Sequence, residues 1–288
     1  MTGLTEIAAR VLRCPACAHT LEAGVDKIEC TGTPRHAIDV EDGILVFARP
    51  EVGKYQGDYA SRYAGLWTFG FETVHTGLTE SLYRTVSSLL AEALADAGEP
   101  HPVIVDAGCG VGRVTADAAC LSRDGTVISF DASPAMLSLA RKIVSGRNPV
   151  RVELSSYGFS ELTIPAYGLD GPLFARADVQ RLPLVDGCAD VVLSVNVIDR
   201  LPQGPESAFP ECHRILKTGG TLIFTDPLNW TETRMWERYS DAAAVLDLLS
   251  ASGFLVRRSF DDLRYSELID ARGSFDTYRT VVASAIKR

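Results

Sequence analysis

Four residues near the N-terminus have the types and spacing of a metal site. Cys14 and Cys17 lie in LRCPACAHT, a CPxC knuckle, and Cys30 and His36 follow in ECTGTPRH. Zinc takes four tetrahedral nitrogen or sulfur ligands, and a CPxC turn presents two thiolates from one tight loop. Cys14, Cys17, Cys30 and His36 therefore make a candidate Cys3His set. The run TLEAGVDKIEC between the knuckles reads as two short strands around Ala-Gly, the layout of a zinc ribbon. TGTPR between Cys30 and His36 is longer than a tight knuckle. Two readings stay open, a structural zinc or a ribbon held by packing alone. A segment of about 45 residues buries little by itself and usually needs a staple, which favours zinc. His19 is a poorer ligand candidate and reads as solvent-facing.

A second group of residues has the spacing of a nucleotide-type cleft. VIVDAGCGVGRVTADAACL places an apolar strand, Val103–Val105, before Asp106, then Gly108, Gly110 and Gly112, then a helix with apolar periodicity. Glycines let the backbone turn sharply and approach a ligand closely. The next strand, TVISFDAS, ends in Asp131, and a helix is expected from Ser133 to about Ser145. An acid there suits paired hydrogen bonds to ribose hydroxyls. A plain strand-to-helix turn and an NAD site both fit this much.

Later segments narrow the choice. ARADVQRLPLVDGCADVVLSVNVIDRL gives a strand, Asp178-Val179, an LP loop and a strand from Asp190. A helix ending HRILKTGG and a strand TLIFTDP follow. No Lys-Ser/Thr pair follows the glycines, and nothing requires a phosphate site. From about residue 100 to 288 this order resembles the class I S-adenosylmethionine (SAM) methyltransferases. The resemblance implies an α/β fold, a Rossmann-like, seven-stranded, doubly wound sheet with its ligand above the carboxyl ends of the strands. It also implies that Asp106, Gly108, Gly110 and Arg113 surround the methionine part, and that Asp131 and Ala132 hold the ribose. Asp178 and Val179 would meet the adenine, and Asn196 would close the cofactor set. The expected organisation is a ribbon-like module over 1–50, a helical cap and linker over 51–100, and the methyltransferase domain over 101–288. An insertion is expected at about 147–172, where VRVEL and LTI flank Gly158 as a hairpin.

A narrower resemblance rests on NVIDRL (Asn196–Leu201) and DPLNWTETRMW (Asp226–Trp236). These stretches, with Gly219 and Gly220, are similar to the histidine-methylating C-terminal domain of ovothiol synthases. That resemblance implies transfer of a methyl group to an imidazole nitrogen of histidine or a thiohistidine. Asn196 and Asp199 stand at the end of the fourth strand of such a sheet, on its ligand side. Asp199 would orient the ring or the substrate ammonium, or else pair with Arg200 at the rim. Trp230 would wall the pocket or pack under the sheet edge. Near the C-terminus Glu267 replaces an acid of that domain and Arg272 or Tyr278 the remaining polar positions, in a looser match. Before the core, Tyr55, Tyr59, Tyr63 and Trp67 recur at spacing four, one face of a helix. That face either packs on the core or presents Tyr59 and Tyr63 to the ligand.

Bulk properties set the limits. The chain has 288 residues, 46% of them hydrophobic, and a formal net charge of −9. A nucleic-acid partner held through phosphates usually meets a basic face, so nucleic acid is disfavoured and a small-molecule substrate favoured. No apolar run reaches the length of a membrane span, and no signal peptide precedes the first cysteine. A cytoplasmic protein is expected. Cys109, Cys120, Cys188 and Cys212 read as small buried thiols of a reducing compartment. The competing functions are an RNA base methyltransferase that uses the ribbon, a SAM-binding protein without catalysis, and a SAM-consuming cyclase.

Overall fold

The computed structural model describes residues 6–23, 27–51, 58–69 and 78–288. Tyr55, the first residue of the aromatic repeat, lies outside them. Four short strands open the chain: β1 (Leu21–Ala23), β2 (Ile28–Cys30), β3 (Ala37–Glu41) and β4 (Ile44–Val46). The glycine-rich region begins at β5 (Val103–Ala107), followed by β6 (Thr126–Asp131). The insertion supplies β7 (Val150–Val152) and β8 (Leu162–Ile164), and the core resumes with β9 (Leu173–Arg176), β10 (Ala189–Val195) and β11 (Leu216–Asp226). A long hairpin, β12 (Phe254–Leu268) and β13 (Phe275–Lys287), ends the chain.

Eleven strands form one sheet in the order β1-β2-β3-β4-β9-β6-β5-β10-β11-β13-β12. The stretch from β9 to β12 is the expected seven-stranded sheet. Its strands are parallel except β13, which runs antiparallel between β11 and β12. β5 is buried at every position and β10 at all but its last. Such continuous apolar runs belong to parallel strands covered on both faces by helices. The strand order reverses between β5 and β10, which opens a crevice at their carboxyl ends. The helix after β6, Pro134–Val144, starts where Ser133 accepts a bond from the Met136 N–H at 3.2 Å, with Pro134 in the first turn.

The strands of the N-terminal module join the main sheet. β4 pairs in parallel with β9, Leu45 opposite Ala175, and β3 pairs with β4, so the ribbon lengthens the main sheet at its edge. The Arg13 N–H donates to the Pro183 carbonyl at 2.8 Å, and Leu12, Cys14, Leu21 and Ile28 join the same core as Phe130 and Val192. A small ribbon can bury apolar surface against a larger sheet that it cannot bury alone. One cysteine also differs from expectation: Cys120 is exposed, on the outer side of helix Arg113–Leu121, whereas Cys109, Cys188 and Cys212 are buried.

A cap covers the crevice. Helix Asp58–Arg62 continues as a π-helical stretch, Tyr63–Thr68. Its aromatic residues pack edge to face, with Tyr59 and Tyr63 each 5.4 Å from Trp67 between ring centroids. The β7–β8 hairpin forms as its sequence suggested, with Val150 opposite Ile164, and supplies Val152, Leu154 and Ile164 to the cluster around Leu66 and Trp67. Buried Trp67 donates its Nε1–H to the Leu268 carbonyl at 2.8 Å, locking the cap to the end of β12. Trp67→Phe keeps the ring packing but leaves that carbonyl unpaired. Urea unfolding should show a loss of about 1–3 kcal/mol; an unchanged midpoint would mean the bond adds no net stability.

Candidate active site

The crevice above β5 and β10 opens into a cavity of 770 Å³. Its inner part is built by the two turns that follow β5 and β6. Gly108 and Gly110 line it, with φ of 92° and 52°. A Cβ on Gly108 would stand 2.3 Å from Val197 Cγ2, so glycine is required there by both conformation and space. Asp131 also lines the cavity. It accepts the Gly110 N–H on Oδ2 at 2.9 Å and the Ser133 N–H on Oδ1 at 2.8 Å. Burial pushes its carboxyl above the ordinary range, and these N–H bonds oppose the shift. Ala132, Asp178, Val179 and Asn196 complete this side. Asp178 accepts from the Gln180 backbone N–H at 2.9 Å, and Gln180 lines the cavity beside it, a residue the sequence reading missed.

Asn196 sits at φ 55°, just beyond β10, where a non-glycine residue is uncommon. Its Oδ1 accepts from the Thr225 hydroxyl at 2.7 Å, while its buried Nδ2 has no partner among the described residues. An orphaned buried donor at a cavity wall is costly unless a ligand oxygen meets it.

Two residues of the expected cofactor set stand elsewhere. Asp106 is buried beneath the loop and accepts from the Thr115 hydroxyl at 2.6 Å. Arg113 points away from the cavity: its Nη1 donates to the Thr68 carbonyl at 2.9 Å, and its guanidinium lies 4.8 Å from the Tyr83 ring centroid. Both hold the scaffold, Asp106 behind the glycine turn and Arg113 between that turn's helix and the cap.

The outer part of the cavity is aromatic and acidic. Tyr59, Tyr63 and Trp67 enter from the cap, Asp199 and Arg200 from the turn after β10. The pairing anticipated between those two is made, Arg200 Nε to Asp199 Oδ2 at 3.4 Å. Both still line the cavity. The Asp199 N–H donates to Asp226 Oδ2 at 2.9 Å. Burial, reinforced by the charge of Asp199, pushes the Asp226 carboxyl well above its usual range. The far wall is the β12–β13 hairpin. Tyr265 pairs with Tyr278 and Glu267 with Asp276 across it, so all four project from one face, and all four line the cavity. Tyr265 donates to Glu267 Oε1 at 3.1 Å. Burial and the neighbouring Glu267 and Asp276 push the Tyr278 hydroxyl up to about 12. Tyr265 and Asp276 were missed in sequence, although they lie two residues from Glu267 and Tyr278 on alternating strands.

Trp230 lies outside this wall. It is buried under the sheet edge, donating Nε1–H to the Tyr239 carbonyl at 2.7 Å, while Pro227, Asn229 and Thr231 line the cavity. The turn at Leu228, φ 53°, sends alternate residues to opposite sides. Arg272 is likewise absent from the wall; it is exposed in the turn between β12 and β13.

The N-terminal cluster is compact. The ligand atoms of Cys14, Cys17, Cys30 and His36 lie within 4.8 Å of one another. Cys30 Sγ is 3.5 Å from both Cys17 Sγ and His36 Nδ1, and it accepts the His36 N–H at 3.1 Å. Burial raises the Cys30 thiol, but the His36 and Gly32 N–H groups and its side-chain neighbours outweigh it and bring it down to about 6. His19 is exposed and outside the cluster, bonded through Nδ1 to the Cys17 carbonyl at 3.0 Å.

Comparison with known proteins bears on the core. Residues 105–224 match the model of a family described as a methyltransferase domain. This part of the chain is similar to methyltransferase domains. Malonyl-[acyl-carrier protein] O-methyltransferase from Methylovorus sp. (strain MP688) is 28% identical over 197 residues, 65% of this chain and 61% of that protein. Dimethylglycine N-methyltransferase from Parasynechococcus marenigrum (strain WH8102) is 27% identical over 202 residues, 67% of this chain and 63% of that protein. The chain thus spans about three fifths of the length of these two relatives. The structure of magnesium protoporphyrin IX methyltransferase from Synechocystis PCC 6803 aligns with a TM-score of 0.48 at 20% identity, covering 79% of this chain and 90% of that one. Among the described residues no helix is long and apolar enough to cross a membrane.

Asp106 offers a pH test of the domain. Burial is the main cause that lifts its carboxyl from the ordinary 3.8 to about 7. The folded state therefore binds a proton there that the unfolded state has released, and stability from this group falls as pH rises from about 4 to about 7. Asp106→Asn cannot titrate. Urea midpoints measured across that range should show the wild type losing stability relative to the variant. A difference independent of pH would contradict the raised value.

Proposed function

We propose that the chain is a SAM-dependent N-methyltransferase acting on an imidazole nitrogen of histidine or a histidine-like small molecule. One observation carries the choice of acceptor: Glu267 and Asp276 stand directly opposite each other on one face of a hairpin and both line the outer cavity. Like charges directly opposite are unfavourable in a sheet. A substrate cation between them turns that repulsion into attraction. Asp199, paired with Arg200, stands on the other wall. Such an environment disfavours an acidic acceptor of the malonyl kind and favours an amine or imidazole. The NVIDRL and DPLNW stretches support the imidazole in particular, by resemblance.

The residues of the inner cavity fit SAM. Gly108 and Gly110 leave room for close approach, Asp131 offers lone pairs to the ribose hydroxyls, and Asp178 with Val179 borders the adenine. Asn196 Nδ2 donates to a ligand oxygen. When bound, SAM supplies a methyl group already activated by its sulfonium, so the chain has to position and desolvate. Glu267 and Asp276 hold the substrate ammonium. Asp199 keeps the proton of the second ring nitrogen, which leaves the lone pair of the first free. Tyr59, Tyr63 and Trp67 roof the site and exclude water.

Cys14, Cys17, Cys30 and His36 hold a structural zinc in this reading. The donor set is right for zinc, and the depressed Cys30 thiol suits a thiolate ligand. Zinc there would fix β2 and β3, and through β4 the approach of Pro50 and Glu51 to the cofactor end. Arg176 connects the two, donating to the Ala132 carbonyl at 2.9 Å and the Pro50 carbonyl at 3.3 Å.

Two experiments test these readings. The first incubates the protein with methyl-labelled SAM and a panel of histidine derivatives, other amino acids, malonyl-carrier protein and total RNA. Label should enter the imidazole compounds; label in RNA or the malonyl carrier alone would sink the proposal. The second measures metal content and the affinity for S-adenosylhomocysteine. About one zinc per chain is expected, with affinity falling severalfold after chelation. Metal content near zero would reduce the ribbon to packing.

A further inference from the structure

The outer cavity also contains a cation whose partners are incomplete. Arg62 ends the cap helix and lines the cavity. Its guanidinium lies over two rings, 4.7 Å from the Trp67 centroid and 4.6 Å from that of Tyr157. Tyr157 comes from the insertion, and its carbonyl accepts the Ala271 N–H at 3.0 Å, so both rings are tied to the β12–β13 wall. One guanidinium nitrogen, Nη2, donates to the Ile269 carbonyl at 3.3 Å. Nε is buried and has no hydrogen-bond partner among the described residues. A guanidinium has five donors in a rigid fork. Here the two rings hold the fork while leaving donors unused, an arrangement prepared for an oxyanion.

Its position gives it meaning. Ile269 lies two residues beyond Glu267, and Arg62 lines the same cavity as Glu267 and Asp276, the carboxylate pair that would take an ammonium. A cation socket and an anion socket side by side match a zwitterion. Arg200, the other arginine of the cavity, is engaged with Asp199.

We infer that Arg62 binds the substrate carboxylate and that the acceptor is a free α-amino acid, rather than a decarboxylated amine or a carrier-bound acyl group. This rests on the proposed transfer to a small nitrogen acceptor and specifies its class. Arg62 is a specificity-determining residue in this assignment, touching substrate at the end remote from the methyl group.

The test uses protein saturated with S-adenosylhomocysteine, titrated calorimetrically with two pairs of probes. L-histidine and histamine differ in the carboxylate, and so do sarcosine and dimethylamine, which lack an imidazole. Wild type should prefer L-histidine over histamine at least tenfold, the scale of a charge-assisted bond. Arg62→Met should weaken L-histidine binding about as much and leave histamine within twofold, and Arg62→Lys should keep part of the preference. Unchanged affinity for S-adenosylhomocysteine certifies that the variants are folded. Equal binding of histidine and histamine by wild type, or an equal loss of both in the variant, would overturn the assignment. A carboxylate preference confined to the sarcosine pair would overturn the imidazole reading and uphold Arg62. Binding of neither pair would overturn both.

Discussion

The carboxylate of Asp131 is the joint on which the inner end of the cavity depends. It ends β6, yet it holds the turn after β5 through the Gly110 N–H and the start of the next helix through the Ser133 N–H. Two separate strand-to-helix turns are thereby fixed relative to each other by one charged group. Charged acceptors make stronger bonds than neutral ones, and burial strengthens them further while raising the cost of losing any partner. The glycine turn has little choice of conformation once this clamp closes, since Gly108 is wedged against Val197. Beyond Asp131, the next residue, Ala132, offers its carbonyl to Arg176, and Arg176 reaches Pro50. The chain of contacts thus runs from the glycine turn to the exit of the ribbon without leaving the carboxyl edge of the sheet.

The outer cavity follows a different rule. The inner turns satisfy most of their own groups, whereas the outer wall gathers several acidic side chains on one surface. Asp199 stands close to Asp226, and Glu267 faces Asp276. Folding alone gains little from Glu267 facing Asp276, because like charges directly opposite in a sheet repel. Strain of this kind persists at sites where a ligand relieves it. The tyrosines around these acids have hydroxyls pushed up in pKa, so they remain neutral donors at physiological pH. Neutral donors beside carboxylates give a surface that accepts cations and orients them.

The sequence made the parallel core legible because its signals are local. Strands such as VIVDA and TVISFD are buried on both faces and read as continuous apolar runs, and the glycines and acids at their ends follow within a few residues. The insertion hairpin was legible for the same reason, from alternation around a glycine. What escaped was set by long-range contact. Nothing near Arg113 signals that it bonds Thr68, 45 residues earlier. Trp230 reads as a pocket wall until the turn at Leu228 is seen to reverse the side on which it falls. The ribbon reads as a module because pairing between β4 and β9 joins segments about 130 residues apart. Arg62 was hidden between two tyrosines that advertised a hydrophobic stripe, and only the insertion's Tyr157 reveals what holds it.

These contacts make the cap and the insertion one device. The cap is short, and a helix of that length is marginal alone, because nucleation fixes several residues for each bond gained. Its order has to come from outside: from the hairpin beneath Leu66 and Trp67, from the Leu268 and Ile269 carbonyls, and from Arg113 at its carboxyl end. Each of these supports holds the elements that carry Tyr59, Arg62, Tyr63 and Trp67 into the cavity. Losing one loosens the roof and the placement of Arg62 together, so both draw on the same interactions. The inner turns, fixed by Asp131 and the sheet, do not share that dependence. The architecture therefore separates an inner floor fixed by Asp131 and the sheet from a roof whose order depends on distant contacts.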